Sequence, residues 1–149
     1  MRVFSCIAQD AEAHIFHNEM KNAYVNYDRY LLSNNWKNVR HNKLWRNPYC
    51  EVCGYCGEGL QCHHHSYPPQ PNWTSIGHLK TLCSFCHKYI HDYLWDELQK
   101  IRNFKERRVQ TLRMTRERMG IDFPHEITKN FISECRTRLN LEKPIKKKR

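Results

Sequence analysis

Two C-x2-C pairs, Cys50-Glu51-Val52-Cys53 and Cys83-Ser84-Phe85-Cys86, are the residues best suited to chemistry in this chain. Each pair can turn both sulfurs toward one ion, and together they supply the four thiolates of a tetrahedral zinc site. In a chain of 149 residues such a site would add folding free energy that a modest core lacks. The interval between the pairs is longer than a compact zinc ribbon allows, so the ion would clamp the two ends of a larger unit. Cys53 and Cys56 also form a C-x2-C, which leaves a register shifted by three residues open. Cys62 adds a further sulfur in the interval, while Cys6 and Cys135 stand alone and read as buried thiols.

The second constellation is imidazole. His87 and His91 are four residues apart, one turn of a helix that starts at the second cysteine pair, so both rings lie on one face within reach of a single cation. His63, His64 and His65 are consecutive in a short apolar-flanked run. Alternation along a strand pairs His63 with His65 and turns His64 to the other face, so a role for His64 beside the others needs a twisted strand or a strand end there. An imidazole, with a reference pKa of about 6.5, is suited to taking a proton from water at neutral pH. A cation beside it would neutralise a phosphate and stabilise a leaving oxygen. His14, His17, His41 and His125 lie outside this set and read as surface or hydrogen-bonded histidines.

The elements that must position these groups follow from pattern. Ile15, Phe16, Met20, Ala23, Tyr24 and Tyr27 fall near helical spacing and predict a short N-terminal helix. Ser33 reads as the N-cap of a helix carrying Trp36, Val39 and Leu44 inward and Lys37, Arg40 and Lys43 outward, stopping near Pro48. A strand over 60–65, a polar and Pro-containing loop from Ser66 to Gly77, and a strand from Leu79 to Leu82 come next, and Ser84 is placed to cap the histidine-bearing helix. From Tyr93 the helix is expected to continue with an apolar stripe at Leu94, Leu98, Ile101, Val109, Leu112 and Met119, ending at Gly120 and Pro124. A last short helix spans 127–139.

Composition sets the class. Hydrophobic residues at 40% and charged residues at 27% are ordinary for a water-soluble domain, and no run approaches the roughly 20 apolar residues of a membrane span. The opening MRVFSCIAQDAEAHIF is broken by Gln9, Asp10 and Glu12 and does not read as an export signal, so a reducing cytoplasm is expected and clustered cysteines point to metal. Asn72-Trp73-Thr74 then matches a glycosylation acceptor by chance. The net charge is +10, and residues 93–149 hold 16 Lys+Arg against 8 Asp+Glu, whereas residues 1–92 hold 9 against 7. A cationic segment joined to a nearly neutral one fits a polyanionic partner, because each neutralised phosphate releases counterions; a solvated helix face with a lysine tail is the plainer alternative.

From about Tyr27 to His91 the chain resembles the HNH endonuclease family of the ββα-metal (His-Me finger) superfamily, in particular the small four-cysteine-zinc members common in phages and bacteria. The resemblance is carried by YDRYLLSNNWKNVRHNKLWRNPYCEVCG, LQCHHHSYP and HLKTLCSFCHKYIH. It implies an α+β fold, a ββα-metal core over 27–92 with a structural zinc on Cys50, Cys53, Cys83 and Cys86; helical pattern and charge, not the resemblance, add an N-terminal helical extension over 1–26 and a basic helical arm and tail over 93–149. It makes His64 the general base, His63, His87 and His91 ligands of a divalent cation (Mg2+, Mn2+, Ni2+ or Zn2+), and puts His78 where the family has its middle Asn. His65 stands where the family more often has an apolar residue, and would replace or supplement a ligand.

The activity implied is metal-dependent hydrolysis of DNA to 5′-phosphate and 3′-hydroxyl ends, in the cytoplasm of a bacterial or phage-infected cell. Charge alone, not the resemblance, makes Lys100, Arg102, Lys105, Arg107, Arg108, Arg113, Arg116 and Arg118 a DNA-backbone-binding arm, which would position the protein without specifying sequence. The rival reading is a zinc-stabilised nucleic-acid-binding module that has lost cleavage, supported by His78 in place of Asn. A third is an adaptor with Leu94, Leu98 and Ile101 as an exposed seam; packing of that stripe into the core is favoured over it.

Overall fold

A computed structural model describes residues 27–123 and 126–146. The expected N-terminal helix over 1–26, Cys6, His14, His17, His125, Pro124 and the last three basic residues of the tail lie outside the described residues. The architecture is α+β. A short helix α1 (Tyr27–Leu31) precedes α2 (Asn34–Arg46), and a two-stranded antiparallel sheet pairs β1 (Gln61–His64) with β2 (Leu79–Leu82). Gln61 faces Leu82 and His64 faces Leu79 across the ladder. Helix α3 (Ser84–Tyr89) runs through a π-helical turn (Ile90–Leu94) into α4 (Trp95–Gln99), and α5 (Phe104–Met119) and α6 (Lys129–Arg138) complete the chain.

Ser33 caps α2 as the sequence predicts: its hydroxyl accepts from the Trp36 amide at 3.2 Å, satisfying one orphan donor of the first turn. Trp36 and Leu44 face the core, but the expectation that Lys43 points outward fails. Lys43 is buried and its ammonium lies 2.9 Å from Glu51, which also lies 3.6 Å from Lys80 and accepts from the Thr81 amide at 2.7 Å. This buried carboxylate ties α2, the first cysteine turn and β2 together. A surface pattern misreads Lys43 because its charge is matched by a carboxylate 8 residues on in the chain.

The second cysteine pair starts α3 one residue earlier than predicted, with Cys83 rather than Ser84 as N-cap; its sulfur accepts from the Cys86 amide at 3.4 Å. The helix from 84 to 99 crosses the boundary expected at residue 93, and Leu94 and Leu98 are fully buried, so the alternative of an exposed seam gives way to core. The predicted run to Met119 is interrupted at 100–103. Asn103 starts a new helix by accepting from the Glu106 amide at 3.0 Å, and the Arg107 guanidinium takes the freed carbonyls of Ile101 (2.8 Å) and Gln99 (3.5 Å). Val109, expected inside, is 61% exposed, whereas Leu112 and Met119 pack against the core as expected; Thr111 and Thr115 beside them are fully buried, and their hydroxyls donate back to the carbonyls four residues earlier. Gly120, in the left-handed region at φ 66°, ends α5. Thr128 caps α6. Among the described residues no helix is long and apolar enough to cross a membrane.

Candidate metal centres

The pleat of β1 divides its side chains between two helices. Gln61 and His63 face α3; Cys62 and His64 face α2, where the Cys62 thiol lies 3.9 Å from the Arg40 carbonyl. On the α3 side, His63, His87 and His91 form one group whose donor atoms all lie within 4.8 Å of one another. Nε2 of His91 is 3.0 Å from Nε2 of His87, and the His63 ring meets both at 5.1 and 5.2 Å between centroids. Two nitrogens on a tetrahedral ion at about 2.0–2.1 Å are about 3.3 Å apart, close to this spacing. Nδ1 of His63 is buried and has no hydrogen-bond partner among the described residues, a state that costs free energy unless something accepts its lone pair or proton. Burial, with His87 and His91 beside it, holds His63 well below the ordinary imidazole range, so its ring is neutral and ready to ligate.

Two groups orient this set. Nδ1 of His87 is hydrogen-bonded to the buried Gln61 carboxamide oxygen, which fixes the proton on Nδ1 and turns Nε2 to the cluster. The Trp95 ring stacks on His91 at 4.9 Å and 18° and stands edge-on to His63. The π-helical turn carries His91 and leads directly into Trp95, a deviation often found at functional sites. Sequence reasoning missed Gln61 and Trp95. Alternation would have found Gln61, since it shares a face with His63.

The four sulfurs of Cys50, Cys53, Cys83 and Cys86 also lie within 4.8 Å of one another. Cys53 and Cys83 are 3.8 Å apart, the edge of a tetrahedron with metal–sulfur bonds of about 2.3 Å. Hydrogen bonding to Cys83 pushes the Cys50 thiol up to about 12, and the hydrogen bond from Cys50 pulls Cys83 down to about 2: one sulfur ionises by sharing its neighbours' protons, as a close thiol cluster must. The donor set fits a structural metal. The sulfurs that group are those of the unshifted register, with Cys56 outside the set; burial and the Cys56 sulfur push the Cys135 thiol up to about 12.

His64, His65 and His78 lie apart from the three-histidine group. His64 is fully buried, its ring sandwiched between Trp36 (5.2 Å, 18°) and Tyr67 (4.7 Å, 12°). His65, expected to replace or supplement a ligand, is instead a loop fastener: its Nε2 is 2.7 Å from the Gly77 carbonyl, its Nδ1 3.1 Å from the Ser66 hydroxyl, and its amide donates to the His78 carbonyl. Burial pushes its pKa down to about 3. His78 accepts from the Ser75 amide at 3.1 Å and is held below the ordinary range by burial and by nearby His64.

The basic arm divides. The Arg107 guanidinium also reaches the Ser66 hydroxyl at 3.4 Å, Arg116 donates to the Val52 carbonyl at 3.1 Å and to that of Glu51, Arg118 pairs with Glu97 at 3.0 Å, and Arg113 lies 3.7 Å from Glu117. Lys100, Arg102, Lys105 and Arg108 are exposed. Arg107 and Arg116 therefore serve the fold, which a charge count could not reveal. No family model matches this chain, and no curated protein or solved structure matches it significantly.

Proposed function

We propose that this protein is a metal-dependent endonuclease of the HNH type that hydrolyses DNA phosphodiester bonds, with β1, β2 and α3 as its ββα-metal core and zinc as the ion of the four-cysteine group. The observation that carries the reading is the convergence of His63, His87 and His91 from a strand and a helix that begins at a four-thiol cluster. A divalent cation (Mg2+, Mn2+, Ni2+ or Zn2+) held by these three histidines would neutralise a phosphate and stabilise the departing 3′ oxygen. His64, at the last position of β1, takes the proton from the attacking water as the phosphorus–O3′ bond breaks, leaving 5′-phosphate and 3′-hydroxyl ends. His78 shapes the loop entering β2 through Ser75 and the His65 amide. The exposed Lys100, Arg102, Lys105 and Arg108 contact the DNA backbone.

One observation favours a second reading, a zinc-stabilised nucleic-acid-binding module without cleavage. His64 is fully buried under Tyr67, and a general base must reach the proton it abstracts. Incubation with supercoiled plasmid separates the two. The nuclease nicks or linearises it with one of these cations and loses that activity in His64→Ala and His87→Ala. Identical plasmid patterns for wild type and His64→Ala under every cation would overturn the enzymatic reading.

A further inference from the structure

The turn that carries Cys50 and Cys53 is gripped from outside by a distant part of the chain. Arg116 of α5 is half-buried, and its guanidinium donates from Nε to the Val52 carbonyl at 3.1 Å and from Nη2 to the Glu51 carbonyl. The Val52 carbonyl belongs to the peptide that joins Val52 to Cys53, and Cys50 and Cys53 are the two sulfurs this turn supplies to the cluster. Phe123 closes the turn from the same side: Gly54 has φ +81°, and a Cβ there would meet the Phe123 ring at 2.6 Å. Arg116 lies over that ring at 6.0 Å.

We propose that Arg116 is the positioning residue of the four-cysteine centre, holding the Glu51 and Val52 carbonyls of the turn that presents Cys50 and Cys53 and offsetting part of the charge of the loaded site. Four thiolates around a divalent ion carry a net charge of −2, so an adjacent guanidinium favours the loaded, fully deprotonated state. The inference rests on the reading of these cysteines as a metal centre and is independent of nuclease activity.

Zinc transfer from the purified full chain to a chromogenic chelator tests it, compared among wild type, Arg116→Met, Arg116→Lys and, as a surface-charge control, Lys129→Met. Release is expected to be about 10-fold faster or more in Arg116→Met, on the scale of outer-shell substitutions at metal sites. Arg116→Lys keeps the charge but not the two-pronged contact and falls between; the control matches wild type. In cobalt-substituted protein the thiolate-to-metal charge-transfer band should move to lower energy in Arg116→Met, since sulfurs that lose the adjacent cation are more electron-rich. A merely structural role would move the thermal midpoint and leave that band in place. Wild-type release rates and an unmoved band in Arg116→Met, or in Arg116→Lys should the former not fold, would overturn the inference. Wild-type protein without bound zinc by elemental analysis would overturn the metal centre itself.

Discussion

Cys86 and His87 are consecutive residues of α3, yet Cys86 belongs to the four-sulfur cluster and His87 to the three-imidazole cluster. The two groups therefore share one rigid turn of helix. Order imposed on the sulfurs at the start of α3 is order imposed on His87, and by linkage each site biases the other. Cys83→Ser should weaken divalent-ion binding by the histidines by about 5-fold or more, the scale of ordinary coupling energies. Calorimetric titration with Ni2+ checks this, and equal affinities in the two proteins would remove the coupling.

Gln61→Leu removes the acceptor that fixes the His87 tautomer. Affinity for the divalent ion is expected to fall by about 10–100-fold. Gln61→Glu keeps an acceptor and should retain tighter binding than Gln61→Leu in the same titration.

Glu51 is the shared counter-charge of two buried ammonium groups. Replacing it with Ala leaves Lys43 and Lys80 uncompensated and should cost about 3–5 kcal/mol of stability. Urea denaturation measures this, and the triple variant Glu51→Ala, Lys43→Met, Lys80→Met should recover much of the loss.

Burial lowers the His65 pKa from 6.5 to about 3. The unfolded chain then binds a proton that the folded chain refuses, so stability is full above about pH 6.5 and falls as pH drops toward 3, by about 1.4 kcal/mol per unit at most. His65→Asn should flatten this slope. Denaturation midpoints for both proteins between pH 7 and pH 4.5, choices that bracket the upper part of the window, provide the comparison.

If DNA is the partner, the exposed and engaged cations of the basic arm should separate. Arg102→Ala, Lys105→Ala and Arg108→Ala should each reduce the slope of log K against log salt by about 0.9 for every phosphate left without its cation, whereas Arg118→Ala, whose charge is paired with Glu97, should change it less. Fluorescence anisotropy with a labelled duplex at several salt concentrations measures the slopes.

Local signals were legible where local physics decides. Ser33 caps α2, and the two C-x2-C pairs meet because each pair is a self-contained turn. Strand alternation correctly separated His64 from His63, although His65 then went to the loop because β1 ends at His64 and its ring meets Gly77 and Ser66 first. What the sequence hid was pairing between separate elements: Lys43 with Glu51 inside the core, Gln61 with His87 from strand to helix, and Arg116 with Val52 across 64 residues. Composition counts such charges as surface because nothing local marks their partners. The break at 100–103 was hidden for the same reason, since the carbonyls freed there are satisfied by the Arg107 side chain.

The loop between the strands is fastened at its base, where His65 meets Gly77 and His78, and by Arg107 at Ser66. Its tip, including Gln70, Asn72 and the 64%-exposed Trp73, lies outside these fastenings and approaches α1 instead. Such a ring can be lengthened or rewritten at its apex while the histidines on β1 keep their places. Diversification of what this molecule touches can thus proceed there without renegotiating its chemistry.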